Sequence, residues 1–189
     1  MNIFEVFIKK KKQFILLIIG LPCSNKSELV CELEKDFKIP KININSYLKP
    51  NSFIEQNIDN NKFKLYEHPD NYDWDKLNID VNNVKSTGVI LYGNYINISK
   101  IDFNIDFSYF IDMKPNLCKK ILIDKKLLSN IDDDKIDIYF TEIFNPLYEK
   151  LKEELHINKF FNINENTIFS KTYDNLFDNL IDLIKKMVY

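Results

Sequence analysis

Gly20-Leu21-Pro22-Cys23-Ser24-Asn25-Lys26-Ser27 decides how this chain is read. It follows an unbroken apolar run, Gln13-Phe14-Ile15-Leu16-Leu17-Ile18-Ile19, of the kind seen in parallel strands buried on both faces. Beyond it, Leu29, Val30, Leu33 and Phe37 recur at helical spacing through residues 27–37. A loop between such a strand and helix can wrap backbone N–H groups round phosphate oxygens, send a lysine to the outer phosphates and offer a hydroxyl to Mg²⁺. The helix N-terminus adds a favourable dipole. The phosphate-loop pattern GxxxxGK[ST] is met at every fixed position but one, where Asn25 stands for the second glycine. Asparagine tolerates left-handed backbone best among non-glycine residues, so Asn25 need not break the loop. The competing reading is a chance Lys-Ser in a lysine-rich chain, and the eight residues alone do not separate the two.

The rest of the chain supplies context. Short strands are expected at 41–45, at 89–92 between Gly88 and Gly93, at 107–111 and at 159–163. Helical spacing covers 74–84, a stretch opened by Pro115 through Leu117, Ile121 and Leu122, and 136–155 with Pro146 inside it. A final helix carries Leu176, Leu180, Ile181, Ile184 and Met187 on one stripe. Strands alternating with helices predict an α/β fold with a mostly parallel five-stranded sheet and the 13–19 strand at its centre. Residues 49–71 read as a polar surface excursion, and 129–135 as a polar, acidic break. No repeat or linker divides the 189 residues, so one domain is expected.

Composition narrows the function classes. With 26 basic and 28 acidic residues the net charge is −2, which leaves no surplus for a phosphate backbone and excludes nucleic acid as the first partner. All 26 cations are lysine, alanine is absent and only three glycines occur, the signature of an AT-rich genome. Isolated Asn and Lys therefore carry little weight, and each glycine carries more. Cys23, Cys31 and Cys118 are odd in number and lack a CxxC, which points away from disulfides and zinc and towards a reducing, cytoplasmic compartment. Lys9 to Lys12 before an apolar run imitate a signal peptide, but Glu5 and Pro22 are wrong for one. No run nears the roughly 20 apolar residues of a membrane span, so no membrane partner is expected.

Several ordered segments resemble the uridine kinase and nicotinamide riboside kinase branch of the P-loop kinases. Asn45-Ser46-Tyr47-Leu48-Lys49-Pro50 is similar to the family segment after the second strand, usually Asp-Asp/Ser-Phe-Phe/Tyr-Lys. Tyr66-Glu67-His68-Pro69-Asp70-Asn71-Tyr72-Asp73-Trp74 resembles the uridine kinase run Phe-Asp-His-Pro-Asp-Ala-Phe-Asp-Trp, whose composition AT bias would not produce. Val89-Ile90-Leu91-Tyr92-Gly93 sits where the family has an apolar strand ending in Glu-Gly. Tyr109 to Asp112, Asn116 to Ile121, and Tyr139 to Glu149 with its interior proline are similar to the fourth strand, the first lid helix and the second. The resemblance implies a three-layer P-loop kinase-like fold with a helical lid at about 117–150.

It also implies 5′-phosphorylation of a nucleoside, uridine/cytidine or nicotinamide riboside, by ATP with Mg²⁺. Such transfer is mostly positioning and charge neutralisation, with a carboxylate taking the hydroxyl proton. On this footing Gly20, Cys23, Ser24, Asn25, Lys26 and Ser27 bind nucleotide, Ser27 meets the metal, and Lys119 and Lys120 reach in from the lid. Glu67 stands for the family aspartate that accepts the ribose hydroxyls, and Tyr47, His68 and Tyr72 line the same pocket. His68 is equally readable as a turn residue before Pro69. Four departures weigh against catalysis. Asn45 replaces the proton-accepting aspartate, and an amide accepts no proton at neutral pH; Tyr92 replaces a metal-supporting glutamate. Ile123 and the lysines replace lid arginines, whose bidentate contacts lysine cannot reproduce. An acidic run, Asn130 to Asp134, replaces a Gly-Arg-Asp segment. Three readings follow: an active kinase in which Asp70 or Asp73 takes the proton, a degenerate kinase-like binding or regulatory module, and an inert scaffold. The departures favour the second over the first, with weak ATP–Mg²⁺ binding.

Overall fold

The computed structural model describes residues 3–50, 53–58, 60–65, 67–128, 131–164 and 166–189. In chain order it opens with α1 (Ile3–Lys11), β1 (Ile15–Gly20), α2 (Lys26–Phe37) and β2 (Lys41–Asn43). A hairpin of β3 (Ile54–Ile58) and β4 (Asn61–Leu65) leads to α3 (Trp74–Val84), β5 (Val89–Gly93), β6 (Phe107–Met113) and α4 (Pro115–Asp124). The lid returns through α5 (Ile136–Ile138), a π-helical turn (Tyr139–Phe144) and α6 (Asn145–Glu154), before β7 (Lys159–Ile163) and α7 (Phe169–Val188).

All six residues of β1 are buried, as an all-apolar strand requires, and it takes the centre of the sheet. The order is β2-β5-β1-β6-β7 with every pair parallel. Alternate strand residues feed two cores. Ile15, Leu17, Ile19, Val89, Leu91 and Phe110 pack with Leu77 and Val81 of α3, Cys118 and Leu122 of α4, and Tyr148 and Leu151 of α6. Leu16, Ile18, Ile90, Tyr109 and Ile111 pack on the other face with Phe4 and Phe7 of α1, Leu29, Val30 and Leu33 of α2, and Leu176, Leu180 and Ile184 of α7. The expected three-layer α/β architecture is the observed one.

Two elements differ from the sequence reading. The basic run that imitates a leader closes α1, where Phe4 and Phe7 meet the Phe14 ring edge-on at 5.5 and 5.8 Å. Lys10 Nζ donates to Met187 O and Val188 O at 3.0 and 3.2 Å, serving carbonyls that the end of α7 leaves without helical partners. The second difference lies in 49–71, which is not a bare excursion: β3 and β4 pair antiparallel about Asn60, at φ 61°. Asn71, fully buried, ties the hairpin down by donating to Leu65 O and accepting from Ile54 N. Residues 51, 52, 59 and 66 of that stretch, and Ser129 and Asn130 of the polar break, lie outside the described residues. Among the described residues no helix is long and apolar enough to cross a membrane.

Pro146 shapes the lid. It has no N–H to give the carbonyl four residues back, and its ring crowds that carbonyl. The chain answers with a wider turn, in which Asn145 N donates to Phe140 O, five residues earlier. The helix runs on, and Ile136, Phe140, Phe144 and Tyr148 recur on the buried face.

Candidate nucleotide and acceptor site

Gly20 ends β1 where the loop must pass β6 closely: a Cβ there would lie 2.1 Å from Ile111 O. Cys23 and Asn25 then take left-handed backbone, at φ 62° and 57°, and curl the chain into the start of α2. Asparagine thus carries the backbone turn expected of a glycine. Lys26 is buried at 6% exposure and donates to Gly20 O at 3.0 Å, Leu21 O at 2.5 Å and Ser24 Oγ at 3.0 Å. Burial pulls its ammonium down to about 7, against the opposing influence of the Cys118 and Cys23 thiols. The Cys118 thiol, itself pushed up to about 12 chiefly by burial, donates to Pro22 O at 3.6 Å and braces the loop from α4.

A 300 Å³ pocket opens beside the loop, lined by Cys23, Ser24, Asn25, Lys26 and Ser27 and, across it, by Asn45, Tyr92, Gly93 and Asn94. The fold therefore brings together the loop, the residue in the base position and the residue in the metal-supporting position. Asn45 Oδ1 accepts from Asn94 N at 3.1 Å, and Asn45 N donates to Asn43 Oδ1 at 3.0 Å. A Cβ at Gly93 would stand 3.1 Å from that same Oδ1, so a larger residue there would push Asn45 aside by a few tenths of an ångström. Asn43, Asn94 and Glu28 complete the lining. In an asparagine-rich chain nothing in the sequence singles out the two asparagines.

The other candidates lie elsewhere. Asp73 caps α3, with Oδ1 accepting from Lys76 N at 3.1 Å, and Asp70 has a side chain 64% exposed. Neither lines the loop's pocket. Tyr47 OH donates to Asp80 Oδ2 at 2.7 Å, away from the loop. His68 Nδ1 accepts from Asp70 N at 3.3 Å, the turn role that the sequence left open. It also borders a separate 660 Å³ cleft with Tyr95, Leu147 and Lys150. Tyr72 is buried and stacks on Trp74 at 5.0 Å. In the lid, Lys119 forms an ion pair with Asp137, and Lys120 is exposed.

Glu67 is the candidate that the fold carries inside. The residue is half-buried, and burial pushes its carboxyl up to about 7. Burial above all, and the Glu67 charge to a lesser degree, raise the hydroxyls of Tyr72 and Tyr148 and the thiol of Cys118. Missed by the sequence reading are Asn145 and Tyr148, whose Oδ1 and hydroxyl are buried without a hydrogen-bond partner among the described residues. Their only advance signal is the proline between them.

The loop fits a nucleotide's phosphates, with a buried lysine and a helix N-terminus facing the pocket. The fit to Mg²⁺ is poor. Ser24 and Ser27 bring neutral hydroxyls, Tyr92 brings no charge, Glu28 is the single carboxylate of the lining, and among the described residues no three His, Cys, Asp or Glu side chains cluster as a metal site.

No family model and no curated protein sequence matches the chain. Among solved structures it is similar to a gluconokinase from Sinorhizobium meliloti 1021, with a TM-score of 0.58 and 9% identity over 93% of this chain and 95% of that one. It is also similar to a protein described as a fructose transport system kinase from Silicibacter sp. TM1040, with a TM-score of 0.56 and 10% identity over 85% and 99% of the two chains. At such identities the likeness is one of fold, and the fold is that of the P-loop kinases.

Proposed function

We propose that this chain is a nucleoside-kinase-like P-loop protein that binds a nucleoside or nucleotide and whose ATP-dependent 5′-phosphorylation is impaired. The observation that carries the reading is Asn45 facing Lys26 and Ser27 across the 300 Å³ pocket, held by Asn94 N–H. An amide there can orient a hydroxyl by accepting its hydrogen bond, but it cannot take the proton away. Loss of a general base slows transfer by roughly 10²–10⁴. Bound ATP would supply the phosphoryl group; Lys26 would neutralise its outer phosphates, and the loop's N–H groups would hold them. Half-buried Glu67 supports the nucleoside assignment, since a carboxylate can accept hydrogen bonds from a ligand's hydroxyls. A module wholly without catalysis is the second reading, favoured by the lid lysine Lys119 being engaged by Asp137.

The test is ATP-dependent phosphorylation of uridine, cytidine and nicotinamide riboside by wild type, Asn45→Asp and Asn45→Asp/Tyr92→Glu. A carboxylate at 45 keeps one oxygen for Asn94 N–H and turns the other to the pocket. A small gain is expected from the single change and a larger one from the pair, since residues that act as a unit gain little separately. Wild-type turnover of about 1 s⁻¹ or more, in the ordinary kinase range, would refute impairment. Background rates in all three proteins would leave the second reading standing.

A further inference from the structure

Lys26 has no hydrogen left to offer a phosphate. An ammonium carries three donors, and here they go to Gly20 O at 3.0 Å, Leu21 O at 2.5 Å and Ser24 Oγ at 3.0 Å. These partners lie six, five and two residues before it, so the side chain closes a ring with its own loop. The left-handed turns at Cys23 and Asn25 are held inside that ring. Lys26 is 6% exposed and Ser24 3%. A buried ammonium needs such bonds simply to stay buried. They do more here, because Lys26 and Ser24 both line the 300 Å³ pocket. A phosphate can take a hydrogen bond from this ammonium only by displacing one of its present partners. The first lid helix bears on the same ring: Cys118 of α4, fully buried, donates to Pro22 O at 3.6 Å.

We infer that the phosphate loop is self-latched. Lys26 holds the loop in a form that a nucleotide must open, and Cys118 is a positioning residue that sets how firmly the latch is held. Opening passes one or more of the Lys26 hydrogen bonds from the loop's own oxygens to those of the phosphates. This rests on the nucleotide-binding part of the proposed function and adds how that site is regulated; it does not depend on which nucleoside is bound. The apparent association constant is the intrinsic one multiplied by the unlatched fraction. Weakening the latch should therefore tighten binding, although it removes a bond from the free chain.

Calorimetric titration of the full chain with ADP, together with thermal melting of the same proteins, tests this. Ser24→Ala removes one latch acceptor and should bind ADP about tenfold more tightly, the weight of a hydrogen bond to a charged group. The same variant should melt about 2–4 °C lower, because the latch stabilises the free chain. Cys118→Ala should tighten ADP about threefold, and Cys118→Ser, which keeps a donor for Pro22 O, should stay within about twofold of wild type. A serine that only contacts phosphate, or a thiol that only fills the core, would lower affinity or leave it unchanged when removed. If Ser24→Ala binds ADP no more tightly than wild type, or Cys118→Ser behaves as Cys118→Ala does, the latch is wrong and the nucleotide reading survives. If wild type and every variant fail to bind ADP, the nucleotide reading itself has failed and the latch goes with it.

Discussion

Replacing Glu67 by glutamine removes a buried charge without changing the side chain's length, and the consequence depends on pH with a sign fixed by the structure. The carboxyl titrates near 7 in the folded chain against 4.5 when solvated, because burial disfavours its charged form. The native state therefore holds this proton more tightly than the unfolded state between those values, and stability is lost as pH rises through that window. A pKa unit is worth about 1.4 kcal/mol, so the penalty above pH 7 is on the order of 3 kcal/mol. Lys26 acts in the opposite sense. Its ammonium is held at about 7 instead of 10.5, so stability is gained as pH rises from 7 and the unfolded chain keeps the proton longer. Below pH 7 that burial costs on the order of 5 kcal/mol. Neither group is among the causes of the other's shift, so the two do not offset each other as a pair. Urea unfolding between pH 4.5 and 10 should give wild type a stability minimum near 7. Glu67→Gln should match wild type at pH 4.5 and exceed it by about 2–3 kcal/mol at pH 8. A difference between the two proteins that is flat with pH would refute the reasoning, as would a variant weaker than wild type at pH 8.

Two further outcomes are expected. Mg²⁺ should change ADP and ATP affinity by less than about tenfold, given neutral serine hydroxyls, no carboxylate at Tyr92 and Glu28 as the single acid of the lining; titration with and without the metal checks this, and a larger enhancement would make Glu28 a metal ligand. Asp73→Ala should cost about 1 kcal/mol by removing the cap of α3, read from the urea midpoint. Full stability combined with lost phosphoryl transfer would instead make Asp73 a chemical participant.

What the sequence disclosed depended on how each element earns its stability. The strand at β1 and the helix at α2 announced themselves because burial on both faces, or on one stripe, leaves a period in the residues. The hairpin did not, since β3 and β4 bury little and are fastened by Asn71, one asparagine among many. The helix α1 was hidden because its lysines matched another explanation. At the site, Lys26, Ser27 and Asn45 were legible as a local string and its aligned partner. Asn94 was not, because its role arises only when the end of β5 arrives beside the loop. The His68-to-Trp74 segment shows the converse: most of what made it distinctive is used to build a turn, with Trp74 Nε1 donating to Pro69 O at 2.6 Å and Asp73 capping a helix.

The grip of Lys10 on the last turn of α7 gives the chain a nearly circular course. Ile3 lies at the far end of α1, about 10 Å from Lys10 at 1.5 Å per residue. A linker of roughly six residues could span that distance in extended form. Joining the first and last helices in this way and opening the chain instead at Asn60, in the exposed turn between β3 and β4, gives a permuted sequence that keeps all five strands of the main sheet whole. It would also separate the hairpin's two strands by nearly the full length of the new chain. Asn45, across the pocket from the phosphate loop, would then lie in the last segment made, after β1 and the loop have joined strands already complete.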